Sequence, residues 1–164
     1  MTDVHSPQQR HKNMAAVKNK DTKAELLVAA ELQKLQIKFE KQLKISKAKV
    51  DFYLPEYNTA VLVHGCFWHG HDCHLFKVPA TRTDFWLTKI KSNQARDQQH
   101  TNAMKQDKIR ILIIWECAVR GRQKLAQDAL CERIEEFLLS QQIAAQINSN
   151  GFDVHWNKQT KSTD

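Results

Sequence analysis

Hydrophobic positions along the chain change period from one segment to the next. In 26-LLVAAELQKLQIK-38 leucines recur at helical intervals, and Thr22 and Glu25 stand ahead of them at capping-box spacing, so a first helix starts there. Three strand-like runs follow, 39-FEKQL-43, 50-VDFYL-54 and 59-TAVLVH-64, with Pro55 and the polar 56-EYN-58 as turn material between the last two. They predict an antiparallel meander. Residues 83–106 contain no Gly or Pro and mix apolar with charged residues as a helix does. They lead into 109-IRILIIWEC-117, a continuous apolar run typical of a strand buried on both faces. Strand, helix, strand in that order implies a parallel crossover. A last helix, about 122–140, places Cys131, Ile134 and Leu138 on one face. The resulting order, α-β-β-β-α-β-α, is an α/β domain on a mixed sheet.

The two ends lack this patterning. Residues 1–20 are polar and basic, and read as an arm that orders on a partner. The polar stretch 141–164 reads as a loosely ordered C-terminal tail, which leaves 21–140 as the folded domain. With 164 residues the chain is about one domain long. Its longest apolar runs, such as 60-AVLV-63 and 111-ILIIW-115, are far too short to span a bilayer, and no export signal precedes them, so a soluble, cytoplasmic protein is expected. A formal charge of +7 favours an anionic partner, with nucleic acid first, because lysines and arginines gain by displacing counterions from phosphates.

The densest chemistry lies in 64-HGCFWHGHDCHLFK-77, between the third strand and the long helix. Cys66, His71 and Cys73 offer three ligands for a structural Zn²⁺, whose tetrahedron needs a fourth. Cys117 is the best candidate: if its strand lies beside the one ending at His64, both ends emerge on the same sheet edge. Cys131 fits poorly, since its helical spacing marks it as core. His64, His69 and His74 compete as ligands, and spacing alone does not exclude them. A loop so rich in polar ligands buries no core of its own, so an ion would supply its folding energy.

Together, 64-HGCFWHGHDC-73, 76-FKVPATRTDFW-86 and 115-WECAVRGR-122 closely resemble the very-short-patch repair endonucleases, over about residues 9–140. The resemblance implies a restriction-endonuclease-like fold of the PD-(D/E)xK type, with a central mixed sheet, flanking helices and a zinc-stabilised loop. It also implies Mg²⁺-dependent nicking of one strand of double-stranded DNA, 5′ of the thymine in T:G mismatches left by deamination of 5-methylcytosine. Asp51 matches the direct Mg²⁺ ligand and the carbonyl of Val63 a second one. His69 matches the general base, Asp97 its carboxylate partner, and His64 the group facing the scissile phosphate. Glu25, which spacing alone assigns to the helix cap, matches an acidic residue near the metal waters. Phe67, Trp68 and Trp86 match aromatics that stack beside the mismatch, Lys89 and Asn93 readers of displaced base edges, and Met14 a probe from the opposite groove. Two positions depart from the wider nuclease pattern: Val50 stands where proline is common, and Val63 brings no side-chain ligand.

Mismatch-repair proteins are candidate partners under this resemblance. A monomer suffices, since a nick at an asymmetric mismatch needs no twofold symmetry. Two other readings remain open on the residues: a zinc-stabilised DNA-binding protein without catalysis, and a restriction-type nuclease acting on both strands.

Overall fold

The first three strands form the predicted meander, β1 (Glu40–Ile45), β2 (Ala48–Leu54) and β3 (Thr59–His64), all antiparallel. The computed structural model describes residues 21–154, so the arm that carries Met14 lies outside the described residues. Helix α1 (Lys23–Lys34) precedes the meander. After β3 come the metal-ligand loop, the long α2 (Thr83–Gln106) and β4 (Arg110–Trp115), which pairs with β3 in parallel as the crossover requires. A one-turn helix, α3 (Glu116–Val119), and α4 (Gln127–Leu139) lead to β5 (Ala144–Asn148) and β6 (Gly151–Asp153). The sheet is mixed, with its six strands in chain order.

Both long-range helices stop without glycine. Gln36 and Lys108 adopt left-handed backbone, at φ 57° and 60°, just past the ends of α1 and α2. At each end two N–H groups fold back onto the last turn, Gln36 to Gln33 and Ile37 to Leu32, then Lys108 to Lys105 and Ile109 to Met104. This is the Schellman pattern, and the apolar residue after each turn packs over the helix end. At the start of α1, Thr22 Oγ1 accepts from the Glu25 N–H at 3.2 Å, as the capping spacing predicts. The return bond from Glu25 goes one residue further back, accepting from the Asp21 N–H at 2.8 Å.

Strands β3 and β4 are buried on both faces. On one face Val28, Leu32, Phe52, Val61, Leu112, Ile134 and Phe137 form the main core under α1 and α4. On the other, Ala60, Leu62, Ile111 and Ile113 pack with Met104 of α2 and with Cys66 and Cys117. Residues two apart in a strand normally share a face. In β2 they do not: Phe52 and Leu54 join the first core whereas Val50 joins the second. The strand rolls over at Asp51, between them.

Three expectations are corrected. Residues 144–153 are not a loose tail: β5 pairs in parallel with β4, β6 closes the edge, and Ala145 and Ile147 are fully buried. The segment was hard to see because Gln146 breaks its apolar run, yet Gln146 is buried with both amide atoms satisfied, accepting from Trp115 Nε1 at 2.7 Å and donating to Asp153 at 3.0 Å. The buried strand ends at Trp115, so Cys117 sits on the first turn of α3. Cys131 shares a helix with the buried Ile134 and Leu138, but is itself only half-buried and donates to Glu31 Oε2 at 2.6 Å. Among the described residues no helix is long and apolar enough to cross a membrane.

Candidate active site and metal centre

The β2–β3 ladder stops at Phe52↔Val61. Beyond it the roll of β2 turns the Asp51 side chain toward β3, where Oδ2 accepts the Val63 N–H at 2.7 Å. A carboxylate thus replaces a backbone partner, and the splayed strands open a cleft of about 930 Å³. Glu25, Asp51, Val63, His64, His69 and Asp97 all line it. Sequence reasoning placed these six on five separate segments, and the fold brings them to one cleft.

The acidic end is crowded. Glu25 is buried on α1, and Gln42 Nε2 reaches its Oε2 at 3.3 Å and Asp51 Oδ1 at 3.5 Å. Burial pushes the Asp51 carboxyl up to about 6, and the nearby charge of Glu25 adds to the effect. Glu25 is also raised, chiefly by burial. Two carboxyls that resist ionisation together, in an open cleft, are a donor set that a hard divalent cation would satisfy. Capping and site roles of Glu25 coexist, because the same oxygen that closes the helix start also meets Gln42.

The histidine end is differently built. His69 Nδ1 meets Asp97 Oδ2 at 2.5 Å, which leaves its Nε2 for other work. The His64 ring stacks on His69, centroids 3.8 Å apart and planes 1° from parallel. Burial holds His64 well below the usual imidazole range, helped by the neighbouring His69, so it is a neutral ring. Its Nδ1 is buried without a hydrogen-bond partner. Although His64, His69 and Asp97 lie close enough to chelate an ion, in-plane lone pairs on parallel rings do not converge on one point. Nε2 of His69 is the ring nitrogen that Asp97 leaves uncommitted.

Cys66, His71, Cys73 and Cys117 form a second, closed cluster, their ligand atoms all within 4.8 Å of one another. His71 Nδ1 lies 3.6 Å from both Cys66 Sγ and Cys117 Sγ. Bonds of about 2.3 Å to sulfur and about 2.0 Å to nitrogen, at the tetrahedral angle, set an S···N edge of about 3.6 Å. The two edges from His71 to Cys66 and Cys117 thus match a zinc tetrahedron. Cys117 is pushed down to about 4 by its bond with Cys66 and then by His71, whereas that same bond raises Cys66 and burial raises Cys73. The Cys117 N–H donates to Cys66 Sγ at 3.3 Å, and the His71 ring lies flat on Trp115 at 4.2 Å. Of the competing histidines, His64 and His69 are committed to the cleft and His74 packs against Gly121. Cys131 is far off on α4, with burial and then Glu31 raising its thiol to about 11.

The loop presses its aromatics outward beside the cleft. Phe67, Trp68 and Trp86 meet edge to face, with centroids 5.1–5.8 Å apart, and each is half-exposed. Helix α2 pins the loop: Asn93 Nδ2 donates to the Trp68 carbonyl at 2.9 Å and Gln94 Nε2 to that of His69 at 3.2 Å. Gly70, at φ 63°, sits so close that an added Cβ would lie 2.6 Å from Ile90 Cγ2 and from Gln94 Nε2. Asn93 therefore commits one amide hydrogen to the loop and keeps its second N–H and its oxygen, while Lys89 stays exposed.

Several lining residues were missed from the sequence. Arg96 and His100 follow Asn93 at helical intervals, a signal that was present. Arg120 and Lys49 line the cleft from α3's end and from β2, and Arg120 pairs with Glu116 at 2.9 Å. Gln42 carried no signal at all.

The sequence is similar to known mismatch and nicking endonucleases. A family model described as DNA mismatch endonuclease Vsr matches residues 2–75. The chain is 44% identical over 151 residues, 92% of this chain and 97% of the relative, to DNA mismatch endonuclease Vsr of Escherichia coli (strain K12). It is 34% identical over 122 residues to the type II nicking enzyme V.NmeAIP of Neisseria meningitidis, covering 74% of this chain and 87% of the relative. With V.XorIIP of Xanthomonas oryzae pv. oryzae, a type II nicking enzyme too, identity is 36% over 71% of this chain and 86% of the other. A cleft, an acid–histidine wall and a Cys/His loop assembled from one such sequence have one source: the chain belongs to the Vsr family of DNA mismatch endonucleases.

Proposed function

We propose that the protein is a mismatch endonuclease that nicks one strand of double-stranded DNA 5′ of the thymine in a T:G pair. The observation that carries this reading is the convergence of Asp51, His64 and the His69–Asp97 pair in one cleft, flanked by an outward aromatic cluster. Basic residues along the cleft, Arg96, Arg120 and Lys49, suit a phosphate backbone. Phe67, Trp68 and Trp86 enter the stack at the mismatch, where opening a pair costs least. Lys89, with the second amide hydrogen and the oxygen of Asn93, reads the displaced bases.

In the hydrolysis, water attacks phosphorus, one P–O bond forms and the bond to the leaving oxygen breaks, that oxygen taking its proton from solvent to leave as an alcohol. His69 Nε2 takes the proton of the attacking water, with the ring held in place by Asp97. His64, neutral and buried against His69, donates to a phosphoryl oxygen as charge develops on it. Asp51, with the Val63 carbonyl and Glu25 beside it, would hold Mg²⁺, which would supply Lewis-acid polarisation and a lowered pKa for its water. Cys66, His71, Cys73 and Cys117 would hold Zn²⁺, which would stiffen the loop. The fold is read as PD-(D/E)xK type, and the enzyme as a cytoplasmic monomer with mismatch-repair proteins as possible partners in the cell.

The test is a nicking assay with Mg²⁺ on end-labelled duplexes that differ only in T:G or T:A. One nick beside the thymine of T:G, absent with T:A and without Mg²⁺, is the expected result. Tight T:G binding with no nick on either duplex would instead indicate a non-catalytic DNA-binding protein, and cleavage of both strands of paired DNA a restriction-type nuclease.

A further inference from the structure

Gln42 lies in the interior of β1 directly across from Asp51, for Lys41 pairs with Phe52 on one side and Leu43 with Val50 on the other. Its φ is 54°, left-handed backbone that is unfavourable for any residue with a Cβ and foreign to a strand. The side chain reaches both acidic groups of the cleft, with Nε2 3.3 Å from Glu25 Oε2 and 3.5 Å from Asp51 Oδ1. An ionised carboxylate only accepts hydrogen bonds, so the amide must turn its NH₂ toward the pair, and its two hydrogens match two acceptors. The other Asp51 oxygen is held by the Val63 N–H at 2.7 Å, which completes the orientation of that carboxylate.

We propose that Gln42 is a positioning residue, a single amide that holds Asp51 and Glu25 together in the arrangement a divalent cation needs. Left alone, two like charges in one cleft would turn apart toward water. A shared donor keeps them converged before the ion arrives, and the left-handed backbone is what aims it. The inference rests on the Mg²⁺ reading of the cleft. A purely conformational explanation also exists, because β2 rolls between its two cores opposite this residue, and the experiment separates the two.

Direct Mn²⁺ titration, followed by electron paramagnetic resonance of the free ion, is performed on the zinc-loaded full chain bound to a T:G duplex. The Asp51→Ala complex gives the background. Gln42→Gly removes the donor but accepts the left-handed backbone, whereas Gln42→Met keeps length and backbone demand and also removes the donor. Both variants are expected to bind Mn²⁺ about tenfold more weakly, the usual effect of losing a partner of a metal ligand, and the glycine variant to melt no lower than wild type. Unchanged affinity in both overturns the proposal. Weakening in only one traces to backbone rather than to the amide and overturns it as well. Wild-type binding no stronger than that of Asp51→Ala removes the metal reading itself, and this inference with it.

Discussion

The two ligand clusters of this molecule lie on the two sides of one loop and are built on opposite principles. Cys66, His71, Cys73 and Cys117 form a closed set already at ligand spacing, two of them fully buried, with the His71 ring held flat on Trp115. Asp51 and Glu25 form an open set, two carboxyls raised by burial and facing a cleft. A closed tetrahedron leaves no position for substrate and stabilises structure; an open, unfavourable carboxylate pair keeps positions for water and phosphate and does chemistry. On the proposed function, the protein would put its binding energy for metal where rigidity is needed and its electrostatic strain where the reaction occurs.

Breaking the closed set should have the largest effect. Cys117→Ala is expected to abolish zinc content and to destabilise the loop by several kcal/mol, since metal binding free energy in such sites is on the order of 10 kcal/mol. T:G binding and nicking should then be lost together, as read by gel shift and nicking assay on the same preparation. Breaking the open set should separate those two properties. Asp51→Ala is expected to lower nicking by about a thousandfold or more, roughly the several kcal/mol a metal contributes at a transition state, with mismatch binding largely intact. Equal loss of binding would show that Asp51 also holds the fold of the cleft.

A third test sharpens the comparison through stability. The folded protein binds the Asp51 proton more tightly than the unfolded chain, so raising pH from about 4 through about 6 ionises a buried group and removes stability. Asp51→Asn should therefore stabilise the Mg²⁺-free protein at pH 7.5 by on the order of 2–3 kcal/mol in urea melts. The advantage over wild type should shrink as pH falls toward 5. A wild type that is the more stable partner at pH 7.5 would contradict the strained-site account. The smallest effect is expected at the aromatic cluster that the closed set supports. Trp68→Ala should reduce discrimination between T:G and T:A duplexes by about tenfold, within the 1–3 kcal/mol of one stacked base, measured as a ratio of dissociation constants. Unchanged discrimination would remove the stacking role.

Much of the frame was legible because strong local signals coincided with it. Helix α2 and strand β3 fall where periodicity placed them, at Thr83–Gln106 and Thr59–His64. The closed cluster was legible too, since three of its ligands sit within eight residues and the parallel pairing of His64 with Trp115 brings the fourth alongside. The edge of the sheet was not. Residues 144–153 have almost no apolar period, and only the partners of Gln146 reveal why a polar residue is buried there.

By itself, then, the sequence determined which ligand types are present, which faces are apolar and where the long elements run, because those follow from side-chain chemistry and a fixed repeat. Only the tertiary structure decided the roll of β2 at Asp51, the meeting of α1's Glu25 with that carboxyl through Gln42, and the bond from Asn93 to the loop. Each of these depends on contacts between residues far apart in the chain. A left-handed glutamine in a strand has no signal in the local sequence, and its setting, opposite the roll of β2 and in reach of two carboxyls, exists only in the fold.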